Sequence, residues 1–360
     1  MNEHPAERAL HSPWPIYGHT AAVQFLQQLL QPVRADVDMP GLTALRHAYL
    51  LFGPQQVGKR TLAQVFARAA LCTDPRQRPC GHCRACHLVE RANHPDLRII
   101  QPVDKTGAVD RRGGTLRVEQ AAEIIHDVAL RPMEGRYKVF LIQDMHTAND
   151  SFANKLLKTL EEPPAYALFC LTALDRNDLL PTIVSRCQTL ELRPLATETI
   201  VGALQQQWQV AAAEATLLGR LARGRLGWAV EQTQQREQGD QRLAQLQTLW
   251  QLLAADPVER LRFAEKSATS FTSRHLFEMI DLWTTWWRDV LLVQAGCGDS
   301  CCNIDQATVL QQQADVVPLA TVRDYLRTLQ RIERYLQHTI NTRLALEVLL
   351  LQLPTVSATT

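Results

Sequence analysis

Residues 53–60 read GPQQVGKR, directly after the short apolar run Ala48 to Phe52 and directly before a helical pattern from Arg60 to about Leu71. A strand, a glycine-rich loop and a helix in that order leave a chain few folds, because the loop's N–H groups can cradle phosphate only when both elements hold them in place. Gly53, Gly58 and Lys59 fit the pattern G-x-x-x-x-G-K-S/T, in which the lysine reaches the β- and γ-phosphates. Arg60 stands where the pattern has the hydroxyl that holds Mg2+. A guanidinium has donors and no acceptor, so it cannot ligate a cation. Thr61 carries a hydroxyl one residue late, turned ~100° further round the helix.

The other half of such a site shows the same loss. Lys138 to Ile142 reads as a buried parallel strand, and in P-loop ATPases of this type that strand ends in Asp-Glu. Here the pair is Gln143-Asp144. A neutral amide is a weaker partner for a magnesium shell than a carboxylate. Asp144 keeps a charge but is one methylene short of the glutamate that polarises water. Two changes on one metal point to a nucleotide site relieved of hydrolysis, with ATP binding left open and Mg2+ doubtful.

Further strands are expected at Leu97–Gln101 and Leu168–Thr172, with helices over 117–130 and 149–161. This alternation gives an α/β class with a parallel three-layer sheet, and nucleotide at the carboxyl ends of its strands. From about Pro194 the pattern is helix after helix. The Gln-rich stretch 231–248, which contains Gly239, reads as a hinge between helical parts. Ile280, Trp283, Trp287 and Leu291 recur on one helix face, as do Leu326, Leu329, Ile332 and Leu336, so both sets read as packing stripes.

Four of nine cysteines carry the sharpest spacing signal: Cys80, Cys83 and Cys86 form C-x2-C-x2-C, with Cys72 eight residues upstream. Four thiolates in a reducing compartment suit a closed, tetrahedral structural Zn2+ site. His82 or His87 could each replace one thiolate, and an iron–sulfur cluster is the rival occupant. Such a zinc site can add ~10–16 kcal/mol of apparent binding energy to folding. It would staple an excursion between the first core helix and His94-Pro95-Asp96. Cys170, Cys187, Cys297, Cys301 and Cys302 read as buried or incidental.

Net charge is +1, which leaves no global electrostatic case for nucleic acid. No run of 18 apolar residues occurs and the N-terminus shows no leader pattern, so a cytoplasmic protein without membrane contact is expected.

ANKLLKTLEEPP (Ala153–Pro164), the triplet Ser185-Arg186-Cys187, the four-cysteine insert and His94-Pro95-Asp96 together resemble the bacterial DNA polymerase III clamp-loader AAA+ family. The likeness is specific from about Trp14 to Arg193 and looser beyond. It implies a RecA-like P-loop core over 1–193 with a zinc-binding insert at about 72–97, a helical lid over 194–240, and an all-α collar over 241–360. It also implies assembly with gamma/tau motor subunits and the delta subunit, and contact with the sliding clamp and primer–template DNA through that complex. In the motor subunits a lid arginine senses nucleotide. Gly227 occupies that place here, and Arg225 lies two residues early.

With Arg60, Gln143 and Gly227 all altered, the pattern is that of the family's delta-prime type. Such a chain would be a stator with little or no ATP hydrolysis, lending Arg186 as an arginine finger to a neighbour. Its degenerate nucleotide site would comprise Gly53, Gly58, Lys59, Thr61 and Asp144. Any polymerase label would belong to the complex. An active gamma/tau-like ATPase and a zinc-stabilised nucleic-acid-binding protein are the alternatives. Lys158 and Arg176 could touch DNA phosphate, with a solvated surface as the plain reading.

Overall fold

The computed structural model describes residues 14–30, 45–111, 113–234, 238–270, 273–336 and 342–355. The N-terminal stretch read for a leader, residues 235–237 of the Gln-rich stretch and the Leu336 side chain lie outside the described residues. By contacts the chain divides into two compact units, one of Met1–Ala215 with Ala222–Val230, the other of Thr216–Leu221 with Glu231–Thr360.

The first unit is built on a sheet of five parallel strands: β1 (Ala48–Phe52), β2 (Leu97–Ile100), β3 (Lys138–Ile142), β4 (Ala167–Ala173) and β5 (Gln188–Glu191). Their order is β2-β3-β4-β1-β5. Helix α1 (Thr20–Leu30) precedes the sheet; parallel strands need crossovers, and these carry α2 (Lys59–Leu71), α3 (Arg84–Glu90), α4 (Val118–Ala129), α5 (Asp150–Glu161) and the short α6 (Pro181–Val184). The expected parallel three-layer core is present. Strand β5 is the one the sequence reading missed. It is a polar edge strand, three of its residues half-buried and the fourth exposed, so it lacks the apolar run that marked the others.

Alternate residues of the central strands feed two separate cores, as the strand period of two requires. Tyr49, Leu51, Val139, Leu141, Leu168 and Cys170 pack with α1 and α2 on one face. Ala48, Leu50, Phe140, Ile142, Phe169 and Leu171 pack with α4 and α5 on the other. Lys138 is buried at the start of β3, and its Nζ donates to Asp127 O at 2.7 Å, occupying a carbonyl at the end of α4. Three further helices follow, α7 (Thr197–Trp208), α8 (Ala212–Leu221) and α9 (Leu226–Gln234).

The second unit is helical: α10 (Gln238–Ala254), α11 (Pro257–Ser270), α12 (Ser273–Gln294), α13 (Ala307–Val316), α14 (Leu319–Leu336) and α15 (Thr342–Leu351). Gly239 falls inside α10, so the helix already runs through the glycine that was read as part of a hinge. A glycine so near a helix start costs little there, because the first-turn N–H groups have no intrahelical partner in any case. The tryptophan stripe is core: Trp283, Trp286 and Trp287 are all buried, and Trp286 Nε1 donates to Gln313 Oε1 at 2.7 Å. Among the described residues, no helix is long and apolar enough to cross a membrane.

Candidate functional site

The loop between β1 and α2 needs its glycines. Gly53 has φ 147°, and a Cβ there would stand 2.1 Å from Leu192 O, the residue just after β5. Gly58 takes the left-handed conformation that turns the chain into α2. Lys59 follows and is buried, its Nζ donating to Gly53 O and Pro54 O, each at 2.6 Å. The ammonium is thus folded back onto its own loop. Burial pushes its pKa down to about 8, with Arg60 adding to the fall and Asp144 opposing it.

Arg60 does more than fail to hold a metal. Its Nη2 is bonded to Asp144 Oδ2, so a guanidinium is joined to the carboxylate that stands where the water-polarising glutamate would be. Asp144 sits just past β3 with a left-handed φ of 55°, a conformation that aspartate tolerates better than most residues. Its N–H donates to Thr172 Oγ1 on β4 at 2.9 Å, which fixes that turn. Gln143 is buried and lies beside Gln101 across the neighbouring strand end. With its oxygen turned outward, the Gln101 amide accepts from Arg111 Nε at 3.1 Å and Nη2 at 2.6 Å. Arg111 is thereby held near Arg60 and Asp144; burial and the Arg60 charge lower its pKa, and Asp144 raises it.

Two histidines complete the rim. His19 Nε2 lies 2.9 Å from Val57 O, and burial lowers the pKa of that ring. Burial lowers the pKa of His146, which also feels Asp144, Asp178, Lys59 and Arg60, and its buried Nδ1 has no hydrogen-bond partner among the described residues. Thr61 is exposed on α2.

Gly227 lies against the loop. Its N–H donates to Gln56 O at 2.9 Å, and a Cβ there would meet that same oxygen at 2.8 Å. Any side chain at 227, an arginine included, would therefore push on the phosphate loop. Arg225 does not replace it: its Nε donates to Ala222 O at 3.1 Å and its guanidinium lies over the Trp228 ring at 5.9 Å.

Arg186, at the end of α6, is held by its own chain. Nη2 lies 2.5 Å from Glu161 Oε1, and Nη1 donates to Thr182 O at 2.8 Å. The side chain stays about one-third exposed (32%), so the guanidinium is at the surface.

The four cysteines converge as their spacing predicted. The Sγ atoms of Cys72, Cys80, Cys83 and Cys86 all lie within 4.8 Å of one another. The Cys72–Cys83 and Cys80–Cys86 pairs are each 3.9 Å apart. A tetrahedron with metal–sulfur bonds of ~2.3 Å has edges of ~3.8 Å, so the spacing suits one metal ion. Backbone N–H groups of Cys80, Cys83 and Cys86 point at the sulfurs of Cys72, Cys80 and Cys83, at 3.3–3.4 Å, as a thiolate set requires. His82 is exposed, with Nδ1 3.0 Å from Cys80 O.

Asp96 explains the nearby His94-Pro95-Asp96 segment. Its fully buried carboxylate accepts from the N–H groups of Met133, Glu134 and Gly135 at 2.6–2.8 Å. The loop so gathered is joined to the cysteine insert by the Arg84–Glu134 ion pair.

Gly53, Gly58, Lys59 and Asp144 are thus brought together, Thr61 is not, and the cysteines form their own centre. Arg111, Thr172, Gln101 and His146 were missed by sequence reading. Thr172 and Gln101, each at the end of an expected strand, carried a positional hint.

Two family models match this chain: "DNA polymerase III, delta subunit" over residues 41–196, and "DNA polymerase III, delta subunit, C terminal" over residues 236–355. The DNA polymerase III subunit delta' of Bacillus subtilis is 28% identical over 311 residues, 86% of this chain and 91% of that one. The subunit delta' of Pseudomonas aeruginosa is 37% identical over 142 residues, 39% of this chain and 41% of that one. The subunit tau/gamma of Haemophilus influenzae is 38% identical over 152 residues, 42% of this chain. The match covers 21% of that tau/gamma protein's length, and similarity to the motor type is confined to one part of each.

Proposed function

Since this chain belongs to the bacterial DNA polymerase III clamp-loader family, we propose that it is the delta-prime-type stator of the loader, assisting ATP-dependent loading of the sliding clamp onto primer–template DNA without hydrolysing ATP itself. The observation that carries this reading is the Arg60–Asp144 bond. A cation of the chain takes the carboxylate that stands where a hydrolytic site polarises the attacking water, and the magnesium position before it is an amide, so the metal-dependent attack has no place to assemble. The full-length likeness to a delta' subunit agrees with it.

Arg186 is the group lent to the assembly. An arginine finger stabilises charge that grows on the transferring phosphoryl group, and such fingers are worth ~10³–10⁵ in rate. Its place at the end of α6, partly exposed and tethered only by Glu161 and nearby oxygens, suits a residue that a neighbouring subunit's phosphates can recruit. The partners of this reading are the gamma/tau motor subunits and the delta subunit, in the cytoplasm.

Cys72, Cys80, Cys83 and Cys86 would hold structural zinc. Four thiolates with no open position give the ion no catalytic role. Its effect would be to fix the insert that carries Arg84, and through Glu134 the loop after α4.

The test is ATP turnover by the chain alone and after mixing with its motor and delta subunits, wild type against Arg186→Ala. No turnover alone with an Arg186-dependent rate in the mixture supports the stator. Turnover by the chain alone, abolished by Lys59→Ala, would make it a gamma/tau-like motor.

A further inference from the structure

The phosphate loop is cationic beyond what its own carboxylate balances. Lys59, Arg60 and Arg111 converge there, and Asp144 is the carboxylate that faces all three. Two guanidinium groups side by side repel each other unless anions lie between or beside them. The loop is nevertheless built as a phosphate cradle: Gly53 passes too close to Leu192 for any side chain, Gly58 opens a helix of 13 residues, and Gly227 closes on Gln56. What it lacks are the two motif ligands for magnesium, since residue 60 has no hydroxyl and residue 143 no carboxylate. A divalent ion would also meet the Arg60 guanidinium already on Asp144.

We propose that this loop binds the phosphate chain of a nucleoside diphosphate or triphosphate without magnesium, with Arg60 and Arg111 supplying the positive charge that the metal supplies in hydrolytic sites. Arg60 uses one nitrogen, Nη2, on Asp144, and its side chain is 36% exposed. A guanidinium has five N–H donors, so the rest remain for a second anion, and its fork matches phosphate oxygens. Lys59 needs only to exchange two loop carbonyls for phosphate oxygens, which are better acceptors for an ammonium. Arg111 reaches the site from a loop outside the motif and is positioned by Gln101, itself against the buried Gln143. Bound this way, nucleotide is held without being set up for attack, and the site becomes a structural clasp. The inference does not depend on the stator role, because it concerns the isolated chain.

The test is calorimetric titration of the full chain with ADP, in EDTA and in millimolar Mg2+. The expected result is measurable binding in EDTA, with a Kd in Mg2+ no tighter than in EDTA. Heat only in the presence of Mg2+, a Kd at least about tenfold tighter with Mg2+, or no binding in either buffer would overturn the proposal. Arg60→Thr restores the motif hydroxyl at a partly exposed position of α2, and a melting curve beside the titration checks that the variant is folded. It is expected to weaken ADP about tenfold in EDTA and to make Mg2+ tighten binding. An unchanged, metal-indifferent Kd in that variant would remove Arg60 from the site and overturn the proposal. Inorganic pyrophosphate separates the two sources of the phosphate chain: displacement of ADP by pyrophosphate supports recognition of the phosphates alone, and ADP binding that pyrophosphate cannot displace supports recognition of the whole nucleotide.

Discussion

Arg186 and Glu161 hold each other at 2.5 Å, joining the end of α6 to the last residue of α5. Both are partly exposed, so the bond is of the kind worth only about 0–1 kcal/mol. A hold that weak sets the direction of the guanidinium without trapping it. Glu161→Gln should leave Tm nearly unchanged and leave the mixed ATPase within a fewfold of wild type. Arg186→Ala should lower that ATPase by about 10³-fold or more. Melting curves and steady-state turnover of the reconstituted assembly check both. Equal losses from the two variants would mean the pair acts structurally.

The cysteine cluster should behave as a single unit. Replacing Cys80 and Cys86 together with serine is expected to remove about one zinc per chain and to expose the 72–97 insert to proteolysis. Metal analysis of the purified protein and limited digestion are the measurements. Zinc content unchanged by the double substitution would place the metal elsewhere.

Asp96 gives a pH dependence of stability with a definite sign. Burial alone would raise its pKa, but the three N–H donors from Met133, Gly135 and Glu134, with His94 nearby, bring it below the usual value. A carboxylate depressed in the folded state stabilises above its unfolded pKa of about 3.9, and that contribution is lost as pH falls through the folded value. Asp96→Asn is expected to cost on the order of 2 kcal/mol at neutral pH. The difference from wild type should shrink below about pH 4. Denaturant melts at pH 7 and pH 3.5, roughly either side of that value, would show it. A constant difference at both pH values would show that the loss comes from packing and not from charge.

Arg260 is a separate test of the helical unit. It is buried, and its guanidinium donates to Leu252, Leu253, Leu350, Leu353 and Pro354 carbonyls at 2.7–3.3 Å. Those oxygens lie at or just beyond the ends of α10 and α15, where helix carbonyls have no partner of their own. Arg260→Met keeps much of the bulk and removes every donor, so a loss of about 3 kcal/mol is expected from the orphaned carbonyls. The transition of the second unit should move to lower temperature in a calorimetric scan, with zinc content unchanged.

Local patterns were legible in the sequence because their physics is local. The phosphate loop declared itself through Gly53, Gly58 and Lys59, whose spacing follows from one turn of chain around a phosphate. The cysteine centre followed from short loops that leave four sulfurs little choice but to meet. Strands β1, β3 and β4 were readable because they are buried on both faces and hence continuously apolar. Strand β5 was not, since an edge strand in this sheet need not be apolar. The stretch 231–248 was read as a hinge, and Gly239 within it lies in α10, a helix whose later residues Leu246, Leu249, Leu252 and Leu253 are buried.

The sequence by itself determined that this chain carries a phosphate loop whose motif positions for magnesium are altered, a four-cysteine centre and the Ser185-Arg186-Cys187 triplet. Each depends on residues close together in the chain, and backbone geometry alone brings them into register. Only the tertiary structure decided what fills the metal's place. Arg60 and Asp144 are 84 residues apart, and Arg111 comes from a third segment. They meet because β1 and β3 both pair with β4, which places their carboxyl ends on either side of its own. A parallel sheet gathers its strand ends wherever the crossovers return the chain, so the partners of a charge at one strand end are set by sheet order and not by spacing.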